Sequence, residues 1–367
     1  MTAGLFESSA AGRGLALLAP RAPTVALTAT LTAGLANELT VIAKAHLTAR
    51  ALGIPMIRPA WGWNRRPYWR YFSHSRLDVV PAKLAECGRQ VITFTEAEYR
   101  ATGELDYGAA VTSWARERGL LGTCTAIVSE GMWGGKIAID EARESVRAYL
   151  RSARWTTDNV EAVRRRRSAG RRLVGVHVRL RDFAPAAAPP DYRHAWNIAL
   201  PLEWYLHVCR QLRAVMDDAD FLVISDDLAA VRPLIRELDA LTTADQRHTD
   251  VSDLLLLSFA DVIVCSVSSF SLVAAWLGDG RYVWPREQMD EREGWLSLWG
   301  YQAAQNDGLT SQNRTALAAM GDARPHGRGV AASWGGPFPD EFADDLRSAR
   351  RCDDRRADLI YYGVIPA

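Results

Sequence analysis

The chain has 367 residues, of which 48% are hydrophobic and 24% charged. A chain of this size can bury sizeable cores and is long enough for two domains of ordinary size. Its 44 Lys and Arg residues against 43 Asp and Glu give a formal net charge of +1. This balance excludes a global field that would attract nucleic acid or a membrane surface, so any anion site must be local.

The cysteines and the first residues bear on the cellular compartment. The five cysteines are an odd number without a Cys-x-x-Cys pair, which argues against a disulfide framework and favours a reducing cytoplasm. None of the seven His residues stands at metal-ligand spacing from a Cys, so no structural zinc is expected. The apolar run at 14–20 is short and broken by proline, and we expect neither a membrane span nor a signal peptide.

The first half of the chain alternates strand and helix signals. Residues 24–34 predict a β-branched strand that runs into a glycine turn, and apolar residues at helical spacing continue to Gly53. Further strand candidates are residues 54–57, 90–94 and 125–129. This alternation is typical of an α/β domain with a mainly parallel sheet.

An arginine-rich stretch, "RRRRSAGRR", lies between Arg151 and Arg172. It predicts a solvated helix face leading to an interdomain linker, with nucleic-acid contact as the alternative. We therefore predict an N-terminal Rossmann-like domain over 1–165 and a C-terminal Rossmann-like domain over 166–330. A tail over 331–367 would carry one helix that packs back.

The second half resumes the same rhythm. Strands are predicted at 173–178, 220–225, 262–265 and 282–283, and helices at 201–216, 228–238, 253–258 and 272–277. In open parallel sheets, ligands bind beyond the carboxyl ends of the strands. Polar residues that follow these strands are therefore the candidates for function.

Ionisable groups crowd the end of the strand at 173–178. His177 can hydrogen-bond a ring or a ribose, and Arg179 offers a fork of donors to a phosphate. The alternative is the charged rim of an ordinary strand, in which Arg179 pairs with Asp182. Ser225 and Asp226 end the next strand, where they are either ligand contacts or a plain helix N-cap.

A serine-rich turn follows the strand at 262–265. Hydroxyls and N–H groups at a helix N-terminus suit an anion, so the turn predicts a phosphate cradle, with simple capping as the alternative. Its residues are Ser266, Ser268, Ser269, Phe270 and Ser271. Asp253 leads the helix before this strand.

The N-terminal half offers two weaker candidates. Gly34 allows close backbone approach, and Asn37 opens a helix that would face a cleft if two such domains oppose each other. Residues 61–72 concentrate aromatic and Arg side chains, which suit a sugar acceptor. The acceptor candidates are Trp61, Trp63, Arg65 and Tyr68, and a plain aromatic subcore is the alternative.

Several common motifs are missing. The stretch "EGMWGGK" at 130–136 fails the spacing and the final hydroxyl of a GxxxxGK[ST] phosphate loop. No GxGxxG follows a strand, and no GxSxG nucleophile turn occurs. Asp226 and Asp227 are adjacent and do not form an Asp-x-Asp pair, which disfavours catalysis through a metal-bridged diphosphate.

Taken in order, these segments resemble the fucosyltransferase superfamily, which includes bacterial α1,2-fucosyltransferases, nodulation α1,6-fucosyltransferases and protein O-fucosyltransferases. The family pattern His-x-Arg-Arg-x-Asp is similar to "HVRLRD", where Leu180 stands in place of the second Arg. "FLVISDDL" and "DLLLLSFADVIVCSVSSFSL" resemble the later motifs. "AGLANE" matches the amino-terminal glycine turn in part.

The resemblance implies a GT-B fold, two Rossmann-like domains facing across a cleft, with the nucleotide sugar held mainly by the C-terminal one. It also implies a metal-independent, inverting transfer from GDP-fucose without a further cofactor, to a hydroxyl of a glycan or small molecule. By analogy, His177 and Asp253 contact the guanine nucleoside, Arg179 and the turn Ser268–Ser271 hold the diphosphate, and Asn37 reaches in from the other domain.

The general base and the donor stay open at this point. Asp191 is the first candidate for the base and Glu203 the second, while Asp182 is expected to brace the arginines. Another nucleotide sugar used on a secondary metabolite is one alternative function. A non-catalytic GDP-sugar-binding protein is the other, and neither nucleic acid nor a membrane is expected as a partner.

Overall fold

The computed structural model describes residues 23–29, 33–57, 59, 61, 66–72, 79–166, 170–185, 197–291, 298–300, 310–320 and 328–348. The chain divides into two compact units. Unit 1 contains the described residues up to Arg154 and those between Trp299 and Ala323. Unit 2 contains those from Trp155 to Leu298 and those from Arg324 onward. Each unit is thus built from two separate segments, whereas the sequence predicted continuous domains over 1–165 and 166–330.

The strands in chain order are β1 Thr24–Thr28, β2 Gln90–Phe94, β3 Thr125–Ser129, β4 Arg172–Val178, β5 Ala184–Pro185, β6 Ile198–Ala199, β7 Ala219–Ser225, β8 Val262–Val264, β9 Arg281–Pro285 and β10 Arg328–Ala332. They form a three-stranded sheet in the order β1-β3-β2, a five-stranded sheet in the order β10-β9-β8-β4-β7 and a small β5-β6 pair. Every pairing is parallel.

The α-helices in chain order are α1 Leu35–Leu52, α2 Trp69–Phe72, α3 Val80–Cys87, α4 Glu96–Thr102, α5 Tyr107–Glu117, α6 Arg143–Arg151, α7 Thr156–Arg166, α8 Leu202–Val215, α9 Arg232–Leu238, α10 Asp250–Phe259, α11 Ser269–Leu277, α12 Arg286–Glu291, α13 Ser311–Met320 and α14 Asp340–Ser348. A short 3₁₀ helix spans Asp140–Ala142. No helix in the described ranges combines the length and apolarity needed to span a bilayer.

The sheet of unit 1 matches the sequence prediction except at residues 54–57. The predicted strand there is a single parallel bridge between Ala26 and Met56. Ala26 N–H donates to the Pro55 carbonyl and Ile57 N–H donates to the Ala26 carbonyl. Proline has no N–H to extend the pairing, and Ile54 N–H still bonds back to the end of α1.

The sheet of unit 2 packs one face on an apolar core. Val174, Val176 and Val178 of β4 lie in this core together with Trp204 and Leu212 of α8. Gly175 points to the opposite face, where a Cβ would stand 2.8 Å from Leu257 Cδ2 of α10. Glycine therefore lets α10 approach the sheet closely, and His177 lies two residues further along the same face.

The described parts of the arginine-rich stretch are a packed helix, α7, and the start of β4. The two units divide between Arg154 and Trp155, just before this helix, and the interdomain linker stays a prediction. Val160 and Val163 of α7 are buried, and α7 packs against α10. Arg166 pairs with Asp245, and Arg172 Nε donates to Asp218 Oδ1 at 2.8 Å. Carboxylates of unit 2 thus neutralise much of the run, which does not favour the nucleic-acid alternative.

Both units are parallel sheets with helices between successive strands, and the α/β class is confirmed. The late helix is found as α14, held by the ion pair of Arg281 with Asp345 at 2.7 Å. The facing of the two units across a cleft stays a prediction.

Candidate functional site

The carboxyl ends of β4, β7 and β8 lie side by side in unit 2. Val178 pairs with Ser225, and Val176 pairs with Val264. The parallel register therefore brings the segments after these strands to one edge of the sheet, where ligands of such sheets bind.

His177 is buried, with 4% of its surface exposed. Its Nδ1 lies 2.7 Å from Ser271 Oγ and 2.9 Å from Ser266 Oγ, and its ring centroid is 4.9 Å from that of Phe270. Burial, and to a smaller extent Arg179, lowers the pKa of His177 to about 3. The imidazole is therefore neutral at physiological pH and fixed to the start of α11.

The serine turn divides into two parts. Ser271 and Ser266 are buried, and Ser271 Oγ accepts from Ser266 N–H at 3.1 Å. Ser268 caps α11 by accepting from Phe270 N–H at 3.2 Å, and Ser269 is exposed in the first turn. The inner serines thus hold His177, and the outer residues of the turn are the ones that a phosphate could reach.

Arg179 is held by two carboxylates. Its Nε and Nη2 each donate to Asp182, at 2.7 Å to Oδ1 and 2.7 Å to Oδ2. Nε also lies 3.2 Å from Asp226 Oδ2, and the guanidinium is 5.9 Å from the Phe183 ring centroid. The pairing of Arg179 with Asp182 matches the alternative of a charged strand rim in the structure as it stands.

Asp226 connects the end of β7 to the segment after β4 by hydrogen bonds. Its carboxylate accepts from Leu180 N–H at 2.9 Å and from Arg181 N–H at 3.2 Å. Leu180, which replaces the second Arg of the family pattern, packs against the core of unit 2. Ser225 Oγ accepts from Asp227 N–H at 3.1 Å, so Ser225 and Asp226 shape the edge of the sheet.

Asp253 lies in the first turn of α10. Its Oδ2 accepts from Thr249 Oγ1 at 2.8 Å, while its Oδ1 is a buried atom without a hydrogen-bond partner among the described residues. Burial is the largest cause that raises the pKa of Asp253 to about 7, and Asp250 adds to it. A buried acceptor of this kind is costly unless a ligand or solvent satisfies it.

Gln246 was missed by the sequence reasoning. In the part of the chain that the structure describes, neither its buried Nε2 nor its buried Oε1 has a hydrogen-bond partner. Its backbone N–H donates to Thr243, whose side chain lowers the pKa of Asp253 by hydrogen bonding. Only the turn-like composition around 243–249 hints at this loop, and no spacing singles out Gln246.

The N-terminal candidates lie at the start of α1 in unit 1. Gly34 is the N-cap with a φ of −69°, and a Cβ there would meet nothing within 4 Å, so its own chain does not require glycine. Asn37 is half-buried and Glu38 is buried, with Glu38 Oε1 accepting from Ala33 N–H at 3.2 Å.

The aromatic candidates form a subcore. Trp61 and Tyr68 are each 3% exposed, and the Trp61 ring meets those of Phe72 and Tyr149 edge-on, at centroid distances of 4.4 and 5.7 Å. Because neighbouring rings cover Trp61 and Tyr68, their burial favours the subcore alternative, and the acceptor role stays a prediction. Trp63 and Arg65 lie outside the described residues.

The base candidates differ in position. Asp182 is 52% exposed and bonded to Arg179, as a brace would be. Glu203 is exposed in the first turn of α8. Asp191 lies outside the described residues.

A buried pair of lysines in unit 1 was also missed. Lys44 is fully buried and donates to the carbonyls of Glu130 and Gly131, at 3.3 and 3.0 Å. Lys136 Nζ donates to Thr40 Oγ1. Burial lowers the pKa of Lys44 to about 8 and that of Lys136 to about 7, where the charge of Lys44 adds to the effect. The glycines of "EGMWGGK" were the available signal, because Gly131, Gly134 and Gly135 all adopt positive φ.

Neither a protein-family model nor a curated protein matches the sequence. Solved structures are similar to it. A structure of POFUT1 in complex with GDP-fucose gives a TM-score of 0.42 and 12% identity over 71% of this chain and 95% of that one. NodZ alpha-1,6-fucosyltransferase soaked with GDP-fucose gives 0.42 and 15% over 70% and 92%.

An Arabidopsis thaliana FUT1 mutant in complex with GDP gives a TM-score of 0.42 and 13% identity, over 71% of this chain and 69% of that one. The chain is similar to fucosyltransferase structures. At these identities and TM-scores, the likeness does not by itself establish an activity.

Among the residues that the structure describes, no group of three or more His, Cys, Asp or Glu side chains is arranged to hold a metal ion. The metal-free reaction expected from the sequence remains a prediction.

Proposed function

We propose that this chain is a glycosyltransferase that transfers L-fucose from GDP-fucose to a hydroxyl group of a glycan or small-molecule acceptor, by a metal-independent, inverting reaction. The observation that carries the proposal is the meeting of three segments, those that follow β4, β7 and β8, at one edge of the sheet of unit 2. These strands and segments hold His177, Arg179, Asp226 and the turn before α11. Their order along the chain is that of the motifs the sequence shares with fucosyltransferases.

Electrostatics favour a diphosphate leaving group. Sugar transfer leaves negative charge growing on the nucleoside diphosphate, and fixed positive charge aimed at that position stabilises the transition state. Arg179, two residues after buried His177, and the N-terminus of α11, to which His177 is hydrogen-bonded, supply such charge. The neutral imidazole then serves to orient the turn.

Polar atoms near the start of α10 favour a guanine base. Asp253 Oδ1 and Gln246 Oε1 are acceptors and Gln246 Nε2 is a donor, each buried and without a partner among the described residues. The guanine edge presents N–H donors beside a carbonyl acceptor, which complements such a set. In this proposal, Asp253 reads the ring N–H groups as a carboxylate.

The acceptor hydroxyl needs a base. Asp191 and then Glu203 remain the proposed bases, as predicted from the sequence, and Asp182 is assigned to the pairing with Arg179. Asn37 and Gly34 at the start of α1 stay predicted donor contacts.

The proposal is tested by nucleotide binding and by turnover. Thermal shift and calorimetry with GDP, UDP, TDP and CDP should show the largest stabilisation with GDP, and mass spectrometry should detect fucose transfer or donor hydrolysis. Arg179→Ala should lower turnover at least about 100-fold. The control Arg210→Ala removes an exposed Arg of α8 that pairs with Glu237 of α9, and it should leave turnover unchanged.

A different result would contradict each part of the proposal: the donor, the role of Arg179 and the catalytic activity. Stronger stabilisation by UDP or TDP would exclude GDP-fucose as the donor. Near-normal turnover of Arg179→Ala would remove the electrostatic role. Tight GDP binding without turnover across an acceptor panel would indicate a non-catalytic GDP-sugar-binding protein.

A further inference from the structure

Arg179 binds Asp182 through two parallel N–H donors, the same bidentate geometry in which arginine binds a phosphate. Two parallel N–H donors, Nε and Nη2, meet two carboxylate oxygens, both at 2.7 Å. A phosphate group offers two oxygens at a similar separation and is recognised by the same fork. The carboxylate therefore stands where a phosphate would make its best contacts with this side chain.

The two carboxylates around Arg179 are held very differently. Asp226 has a side-chain exposure of 17% and is fixed by the N–H groups of Leu180 and Arg181. Asp182 is three residues from Arg179 on an exposed turn, and its side chain is 52% exposed. Asp226 can thus keep the guanidinium oriented from the sheet while Asp182 rotates into solvent.

We propose that Asp182 is an internal stand-in for the phosphate, which occupies the fork of Arg179 until a nucleoside diphosphate displaces it. The inference rests on the proposed function, because it concerns the diphosphate of the donor. Asp182 in this role is a specificity-determining residue, because it weakens the binding of every anion to Arg179 by the same factor. Only a ligand that makes further contacts in the site then binds well. Asp226 is the positioning residue that keeps Arg179 in place during the exchange.

The effect of Asp182 on the binding of a diphosphate can be estimated from the strength of an exposed ion pair. An exposed ion pair with good geometry is worth a fraction of a kcal/mol to about 1 kcal/mol, and a carboxylate left beside a bound phosphate repels it. Removing the charge of Asp182 should therefore tighten the binding of a diphosphate by about two- to fivefold. A ligand without phosphate should not be affected.

The test compares the dissociation constants of GDP and guanosine, by calorimetry, in the full chain and in three variants. Asp182→Asn keeps the size of the side chain and removes its charge, and Asp182→Glu restores the charge. Asp344→Asn, the matched control, removes the acidic partner of an exposed Arg–Asp pair of the same i,i+3 spacing in α14. The melting temperature of each variant reports its folding.

We expect tighter GDP binding in Asp182→Asn, with guanosine binding unchanged, and values near those of the unaltered chain in Asp182→Glu and Asp344→Asn. Equal or weaker GDP binding in Asp182→Asn would overturn the inference and indicate that Asp182 only braces Arg179. Equal tightening of guanosine would also overturn it, because guanosine does not reach the fork. If neither the unaltered chain nor any variant binds GDP, the proposed function itself fails.

Discussion

Replacing Asp253 by Asn should make the protein more stable above neutral pH. Burial raises the pKa of Asp253 from 3.8 to about 7, so the folded state holds the proton more tightly than the unfolded chain. The stability that this group contributes is fully present below pH 4 and is lost as the pH rises through about 7. Asn mimics the protonated form and does not titrate.

The size of the effect follows from the shift. About three pKa units, at about 1.4 kcal/mol each, set a ceiling of about 4 kcal/mol at pH 8. Asp253 keeps partial contact with solvent, and its Oδ2 retains the bond from Thr249 at 2.8 Å. We therefore expect Asp253→Asn to gain about 2 kcal/mol relative to the unaltered protein between pH 5 and pH 8.

Urea unfolding at pH 5 and pH 8 measures this gain. Asp344→Asn, which changes an exposed carboxylate in α14, is the control and should show the same difference from the unaltered protein at both pH values. A difference between Asp253→Asn and the unaltered protein that is the same at pH 5 and pH 8 would refute a raised pKa at this position.

Three further substitutions test the packing inside each unit and the burial of a lysine, by their effect on the free energy of unfolding. Gly175→Ala should lower the free energy of unfolding by about 1–3 kcal/mol, because the new Cβ meets Leu257 Cδ2 at 2.8 Å. Gly34→Ala is the control and should lower it little, because a Cβ there has no atom within 4 Å. Equal losses in the two variants would contradict this packing. Lys136→Met should reduce the rise in stability expected between pH 7 and pH 10, since the pKa of Lys136 is lowered to about 7 and the folded state disfavours its charge. The rest of the rise comes from Lys44, whose pKa is lowered to about 8, and an unchanged pH profile would contradict the lowered pKa of Lys136. Trp61→Ala should cost about 3–5 kcal/mol in urea unfolding, and a loss under 1 kcal/mol would show that its ring is not part of the subcore.

Strands and helices with strong periodicity were predictable from the sequence. The valines of β4 alternate with Gly175 and His177, and the parallel class followed from the rhythm of strand and helix signals. The edge of the sheet where Asp226 and the serine turn meet was also predictable, since parallel register forces neighbouring carboxyl ends together.

Features that depend on distant segments were not predictable. The partners of the arginine run, Asp218 and Asp245, lie far along the chain, and no local pattern indicates the pairing. The burial of Trp61 depends on Tyr149 of α6. Lys44 lies in α1, which is buried on nearly every side, and a charged side chain is rare in such a position. Its hydrogen bonds to the carbonyls of Glu130 and Gly131, which are distant in the sequence, explain its presence.

The division of each unit into two chain segments has a consequence for folding during synthesis. Trp299 is fully buried and its carbonyl accepts from Lys136 N–H at 2.9 Å, and Asn313 of α13 donates to the Gly103 carbonyl at 2.6 Å. Unit 1 therefore cannot complete its core until the ribosome has passed residue 320, long after its own sheet has emerged. A fragment that stops after α6 would leave a tryptophan-sized gap, and neither unit is expected to fold completely before its second segment has been synthesised.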